Sequence, residues 1–431
     1  MSLTGRTPLV ATIFVAVAFG WPAHGATVGW LLLALLLLIA VDVLLAGATG
    51  ALRYTRTGEH TGRLGEPLDV GLIVENTGRR TVRAVIRDAW PPSAAALPRR
   101  YRVVVPPGER RRLDGVLVPT RRGDRYADRV TARSIGPLGL AGRQGWQSVP
   151  WRVRVLPPFT SRVFLPERLA RLRQLDGLVA ARVRGQGTEF DSLREYVPGD
   201  DVRSIDWRAT ARSGGVAVRT WRPERDRRIL IVLDTSRVSA GRVGDIPRLD
   251  AAIDATLLLT ALAGRAGDRI GLLAFDRGVR ARVRRSSAGD ALPAVVSAVT
   301  PLEPSLVEAD YRAMVVAILA EARQRSLVVL MTGLEPAAVR EGLLPALEPL
   351  LRRHTVLLSA VADPGLSRMR AGRGEAGRVY AAAAAEQAQA GRDQISSLLR
   401  RRGVEVVDEP PATFAPAVAD AYLELKAAGR L

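Results

Sequence analysis

The stretch that decides the fold is RILIVL, residues 228–233, followed at once by Asp234, Thr235 and Ser236. Its run of apolar residues leaves no alternation between a wet and a dry face, so this strand must be covered on both sides. Residues 268–275 and 326–331 (SLVVLM) repeat the pattern, 279–283 adds a shorter strand, and 355–361 and 404–407 complete the set. Between them, residues 249–266, 290–299, 309–324, 336–353, 377–402 and 415–428 space their apolar side chains as helices do. Strand and helix in alternation predict a mainly parallel, doubly wound α/β domain over residues 227–431. Ligands of such sheets bind where strands end at their carboxyl termini, which puts Asp234, Thr235 and Ser236 on the functional edge.

Upstream, residues 56–158 change character. Short alternating runs at 68–75, 81–88, 100–105, 112–118, 128–133 and 151–156 are broken by turn formers such as Asn76-Thr77-Gly78, Pro106-Pro107-Gly108 and Gly136-Pro137-Leu138-Gly139. That spacing predicts a small all-β sandwich over residues 55–158, a spacer or docking platform with nothing catalytic in it.

Further upstream lie two apolar runs, residues 8–21 and 28–45 (VGWLLLALLLLIAVDVLL). The second approaches the ~20 residues that cross a bilayer as a helix, and the first reaches that length only with its flanks. Trp21 and Trp30 bracket the loop at 22–27, which has no Lys or Arg, while Arg6, Arg53 and Arg56 lie at the opposite ends. Residues 1–54 are therefore expected to form a transmembrane hairpin of two helices in the cell membrane, with the bulk of the chain cytosolic. A cleaved signal peptide, cut near Ala23-His24-Gly25, is the competing reading. Asp42 is expected to snorkel to the interface.

Composition narrows the chemistry. The 431 residues are 47% hydrophobic and 25% charged, as in folded proteins, and include no cysteine, which removes disulfides and thiol chemistry. The three histidines, His24, His60 and His354, have no zinc-ligand spacing. The net charge of +20 is carried almost wholly by arginine, Lys426 being the single lysine, and it is scattered along the chain. With aromatics at 5%, no specific nucleic-acid face is expected; anionic lipid next to the anchor is the simpler use of that charge.

Between the β-rich and α/β regions runs Gly187-Thr-Glu-Phe-Asp-Ser-Leu-Arg194-Glu195-Tyr196-Val-Pro198-Gly199-Asp200-Asp201-Val-Arg203-Ser-Ile205-Asp206-Trp207-Arg208-Ala-Thr210-Ala211-Arg212. It closely resembles the signature of the domain-of-unknown-function 58 family. The order of hairpin, β-rich segment, signature and von Willebrand factor A-like domain is similar to that family as well. The resemblance implies partnership with a MoxR-type AAA+ ATPase in complex assembly or cell-envelope processes.

Physically, residues 159–226 read as a connector: Pro198-Gly199-Asp200-Asp201 forms a turn, Asp206 caps a short helix through Ala211, and residues 216–221 form a strand able to join the sheet edge. Arg194, Glu195, Tyr196, Asp200, Asp201, Arg203, Asp206, Trp207, Arg208 and Arg212 are the candidate partner-binding residues. The plainer reading of the charged ones is a self-satisfied ion-pair network.

The resemblance to von Willebrand A domains also implies a divalent cation, such as Mg²⁺, in a set of oxygen ligands. Asp234 and Ser236 match the first two ligand positions. Val238, Ala309 and Gly333 stand at the other three, with Ser239, Asp310 or Thr332 as substitutes only if loops shift. No cofactor is therefore expected, with Mg²⁺ at a degenerate Asp234/Ser236 site as the alternative.

Enzyme activity is not expected. A G-x-x-x-x-G-K-[ST] loop is missing, Gly185-Gln186-Gly187 is followed by Phe190 where a dinucleotide loop needs glycine, and no Ser-His-Asp order is convincing because His354 begins a strand on the inner side of the pattern. The leading expectation is a membrane-anchored interaction or adaptor protein. The alternatives are a hydrolase using Asp234 or Asp268, and lipid or nucleic-acid binding through the arginines.

Overall fold

The computed structural model describes residues 2–20, 25–182, 189–222, 227–286 and 289–431. Residues 21–24, with Trp21 and His24, and the Gly185–Gly187 segment lie outside the described residues. The chain divides into two compact units, the first ending at Pro158 and the second running from Phe159 to Leu431.

The first unit opens with helices α1 (Arg6–Gly20) and α2 (Gly25–Leu45). α2 carries no charge before Asp42 and leaves Trp30, Leu36, Leu37 and Leu44 exposed. Among the described residues it is the one helix long and apolar enough to cross a membrane. Its 21 residues rise about 31 Å, whereas the 15 of α1 rise about 22 Å against a hydrocarbon core of about 30 Å. The expected pair of spanning helices is thus corrected to one helix of spanning length with a shorter apolar helix packed beside it.

After α2 the chain forms β1 (Leu52–Gly58), β2 (Leu68–Asn76), β3 (Val82–Asp88), β4 (Tyr101–Val105), β5 (Arg110–Leu117), β6 (Gly123–Ile135) and β7 (Ala141–Leu156). One sheet is ordered β1-β2-β5 and closed by Ala96–Leu97; the other runs Ser2–Leu3, β7, β6, β3, β4. Leu52, Tyr54, Leu72 and Val74 of the first sheet meet Val82, Ile86, Val130 and Ala132 of the second. This is an antiparallel β-sandwich, with one parallel pairing between Thr61–Arg63 and the end of β7.

β1 starts at Leu52, inside the stretch assigned to the hairpin. Its alternation points Arg56 inward, where it forms a buried ion pair with Asp88, which also accepts from Trp90 Nε1 at 2.9 Å. Arg56 is therefore a sandwich residue and does not flank the apolar helix α2.

The second unit contains α3 (Leu165–Arg182), the hairpin β8 (Glu189–Glu195) and β9 (Ala217–Arg222), and the short α4 (Trp207–Ser213) between them. Its main sheet comprises β10 (Arg228–Asp234), β11 (Arg269–Phe275), β12 (Val279–Ser286), β13 (Leu327–Met331), β14 (Thr355–Val361) and β15 (Glu405–Glu409). The order is β12-β11-β10-β13-β14-β15, parallel except for the edge strand β12. Helices α5 (Arg248–Arg265), α6 (Ala291–Val299), α7 (Tyr311–Glu321), α8 (Leu344–Leu351), α9 (Ala376–Arg401) and α10 (Pro411–Ala427) complete it.

The unbroken apolar run of β10 now has its reason. Ile229, Ile231 and Leu233 pack with Leu257, Val295, Phe414 and Tyr422, whereas Leu230 and Val232 pack with Met314, Ile318, Leu347 and Ile395. Each such side chain contributes roughly 1.5–3 kcal/mol by leaving water, and both faces of the strand collect it. The chain leaves β10 for β11 on one side and later reaches β13 on the other. That reversal opens a crevice at the carboxyl end of β10.

Candidate functional site

Asp234 ends β10 at this crevice and is 1% exposed. Its Oδ1 accepts from the Ser236 backbone N–H at 2.8 Å, and its Oδ2 from the Thr332 hydroxyl, just past β13, at 2.6 Å. Burial pushes its carboxyl above the usual aspartate range, and the charge of Glu335 pushes the same way; the Ser236 and Thr332 hydrogen bonds oppose both. Burial likewise raises the phenol of Tyr311, helped by Asp234 and Glu335 and opposed by a hydrogen bond with Thr332, so Tyr311 stays neutral.

Next to it, Asp276, just after β11, has the opposite balance. Burial works to raise its carboxyl, but hydrogen bonds from Ser305, the Arg277 N–H and Arg280 outweigh that and hold it below the usual range. Two acids from adjacent strand ends are thus driven apart. Nothing in the sequence pattern singled out Asp276, Ser305, Tyr311 or Glu335. Only the identity of the neighbouring strands does so.

The five-oxygen cation pattern can be tested residue by residue. Val238 offers no donor atom, and Ala309 packs against the apolar cluster beneath α7. At Gly333, a Cβ would fall 2.0 Å from Glu335 Oε2 and 2.3 Å from Val238 Cγ1, so the Glu335 carboxylate fills the room that a longer side chain there would need. Glu335 in turn is neutralised by Arg248. Asp310 caps α7 through the Ala313 N–H, and Thr332 spends its hydroxyl proton on Asp234. Among the described residues no cluster of three or more Asp, Glu, His or Cys forms. The residues present do not fit a von Willebrand-type cation; a guanidinium supplies the positive charge there instead.

Asp268 and His354 lie elsewhere. Asp268 sits at the amino end of β11, accepting from Tyr422 at 2.6 Å and paired with the buried Lys426 at 3.4 Å, where it fastens α10 to the sheet. His354 is buried at the amino end of β14. Both occupy the edge opposite Asp234, so neither shares a site with it.

The connector behaves differently. Arg194 pairs with Asp200, which also accepts from the Val197 N–H; these bonds hold Asp200 below the usual carboxylate range and raise Arg194. Asp201 caps the 202–204 turn through the Arg203 N–H. Asp206 caps α4, accepting from Ala209 and Arg208 N–H and from Arg219, and these bonds lower its carboxyl. Thr210 closes the unit by accepting from the Ala217 N–H. Glu195, Arg203, Arg208 and Arg212 are exposed.

The strand expected at 216–221 exists, but it pairs with β8 in a separate two-stranded sheet instead of joining the main one. Its reach is set by the cap and the αL turn at Gly214, which fold it back on β8. Tyr196 and Trp207 of the candidate set are among the connector's exposed apolar side chains: Trp207 is 69% exposed, and Val202 at 64% and Val197 at 55%, with Leu193 and Val216, join them without having been named as candidates.

Residues 192–377 match the family model described as Protein of unknown function DUF58. The match begins in the connector hairpin, crosses the Asp234 edge and ends at the start of α9, less than half of the chain. Uncharacterized proteins of Mycobacterium tuberculosis and Mycobacterium bovis are each 27% identical over 199 residues, which is 44% of this chain and 62% of theirs. The chain thus spans about three fifths of the length of these curated relatives. Among solved structures, the conserved hypothetical protein BatB from Bacteroides thetaiotaomicron is similar at 13% identity and a TM-score of 0.29, covering 46% of this chain and 98% of that one. A CARDB domain from Pyrococcus furiosus is similar at 16% identity and a TM-score of 0.20, covering 27% and 92%.

Proposed function

We propose that this is a membrane-anchored docking protein without enzymatic activity, whose second unit is von Willebrand factor A-like and whose connector receives a MoxR-type AAA+ ATPase. One observation carries the reading: the connector pairs part of its charge within the segment and leaves its large apolar side chains in water. Arg194, Asp200, Asp206 and Arg219 are occupied within the segment, while Trp207, Val202 and Val197 are exposed. An aromatic of this kind buries about 150–250 Å² when covered, and uncovered apolar groups at this density mark a contact surface. The crevice at Asp234 holds three acids, Asp234, Asp276 and Glu335, and several hydroxyls, but among the described residues no histidine or lysine to act with them, which favours recognition over turnover.

The anchor rests on α2. Retention of α1, against cleavage of a signal peptide, is favoured by the pairing of Ser2–Leu3 with β7 and by hydrogen bonds from Thr4 and Thr7 to the 139–140 carbonyls. Affinity capture of the full chain from detergent extract, with and without nucleotide, tests the docking reading. Wild type should recover an AAA+ ATPase, Trp207→Ser should lose most of it, and the result should be the same with Mg²⁺ and with chelator. Recovery of none by wild type would sink the proposal.

A further inference from the structure

The lower end of α2 is built into the sandwich. Asp42, fully buried, accepts from the backbone N–H of Leu138 at 2.8 Å and from those of Leu140 and Ala141 at 2.7 Å each. This corrects the snorkelling expectation, since the carboxylate turns into the 136–141 turn, away from water. The last carbonyls of the helix are taken by arginines distant in sequence: Arg143 Nε donates to Val43 O at 3.1 Å, and Arg80 Nη1 to Leu44 O at 2.9 Å. Gly47 lies so close to Val82 that a Cβ there would come within 2.8 Å of its side chain. The helix end, the 77–81 turn and the start of β7 are therefore one piece.

At this joint lies a cavity of about 250 Å³ whose lining includes Leu44, Ala48, Val82, Arg79, Arg80 and Arg143. Three arginines and no acidic residue are among its lining residues. Leu44, exposed on the helix, forms its apolar wall. A second cavity of about 310 Å³, also at the end of the helix, is lined by Arg53, Thr49 and Trp146. Trp146 is 64% exposed and covered on one face by Arg129 at 4.6 Å. Arginines for phosphate, an apolar wall continuing a lipid-facing helix, and an amphipathic indole lining the second cavity make up the kind of surface that a phospholipid headgroup meets.

We infer that the Arg79/Arg80/Arg143 cavity binds the headgroup of an anionic phospholipid, with its phosphate between the guanidiniums and its acyl chains along Leu44. The inference rests on the reading that α2 lies in the membrane. It gives the arginine excess a defined place: Arg80 and Arg143 each cap a helix carbonyl with one donor and keep others for phosphate. Arg79 makes no contribution to the joint itself, so it can be changed without loosening α2.

The test uses the full chain purified in mild detergent and measured by native mass spectrometry for retained lipid. Phosphatidylglycerol is titrated against phosphatidylcholine, and inorganic phosphate serves as competitor. Wild type should retain phosphatidylglycerol preferentially, and Arg79→Gln should weaken it roughly fivefold, as for one arginine at an anionic surface. Arg121→Gln, beyond the other end of the sandwich where β6 begins, should change nothing. Equal retention of the two lipids, no effect of Arg79→Gln, or equal loss in Arg121→Gln would overturn the site. So would displacement of lipid by inorganic phosphate at matched concentration. Carbonate extraction of membranes reads α2 separately, so that a protein resistant to extraction but indifferent to lipid type removes the site and leaves the anchor standing.

Discussion

Asp42 and Asp234 are both aspartates at the end of an apolar element, and both are buried almost completely. Their surroundings nevertheless differ. Asp42 meets three peptide N–H groups, so each donor it serves would be orphaned without it. Asp234 meets one peptide N–H and one hydroxyl, with a second acid near enough to raise its carboxyl further. Around it, Glu335 Oε2 is buried without a hydrogen bond, and so is Ser236 Oγ, although that hydroxyl lies close enough to favour the charged carboxylate. One acid completes a joint. The other sits in a pocket with acceptor capacity left over, which is how recognition and catalytic edges differ from joints.

The same substitution should therefore have opposite effects at the two places. Asp42→Asn puts an amide donor against N–H groups and should cost about 2–4 kcal/mol; hydrogen exchange of the full chain in detergent should show peptides over 136–143 opening first. Unchanged protection there would mean that the helix is not fastened through Asp42.

Asp234→Asn should be neutral or stabilising at neutral pH, because the fold holds the charged form of Asp234 at a penalty. The sign follows from a folded pKa raised above the unfolded one: the native state binds the extra proton, so wild-type stability rises as pH falls through that raised value. The advantage of Asp234→Asn over wild type should shrink over the same range and vanish near the ordinary aspartate range. Thermal unfolding of both proteins across acid pH checks this, and an advantage that grows on acidification would refute the assignment.

At Gly333 the crowding is side chain against side chain. Gly333→Ala should cost about 1–3 kcal/mol, and adding Glu335→Ala should recover much of it, as measured by denaturant midpoint. Additive costs would show that the Glu335 carboxylate does not fill that space. The smallest effect is expected from Trp207→Ser, which should move stability by less than about 0.5 kcal/mol while abolishing capture of the partner.

Much of the architecture was legible in the residues. The run at 228–233 implied two covered faces, and Ile229 and Leu230 do point to different clusters. All six strands of the main sheet and the turn capped by Asp206 followed from local pattern, because periodicity and capping act within a few residues. The candidate site was legible only in part. Asp234 and Ser236 were named from one loop and Thr332 only as a substitute ligand, whereas Asp276, Glu335 and Tyr311 reach the same crevice without having been named. In the connector, Tyr196 and Trp207 were named together with the charged residues of the signature, whereas the exposed Val197 and Val202 beside them stood out only in the structure.

The sequence by itself determined what each segment had to bury: an apolar helix ending in Asp42, alternating strands, and a sheet covered on both faces. Only the tertiary structure decided which groups meet across long separations. It brought Arg80 and Arg143 to the end of α2, gave Asp42 its partners 96 to 99 residues away, and turned Arg56 from a supposed membrane flank into a buried ion pair. The physical reason is one of range. Hydrophobic period is set by a residue and its near neighbours, but a buried charge takes its meaning from whichever distant donors the fold delivers to it.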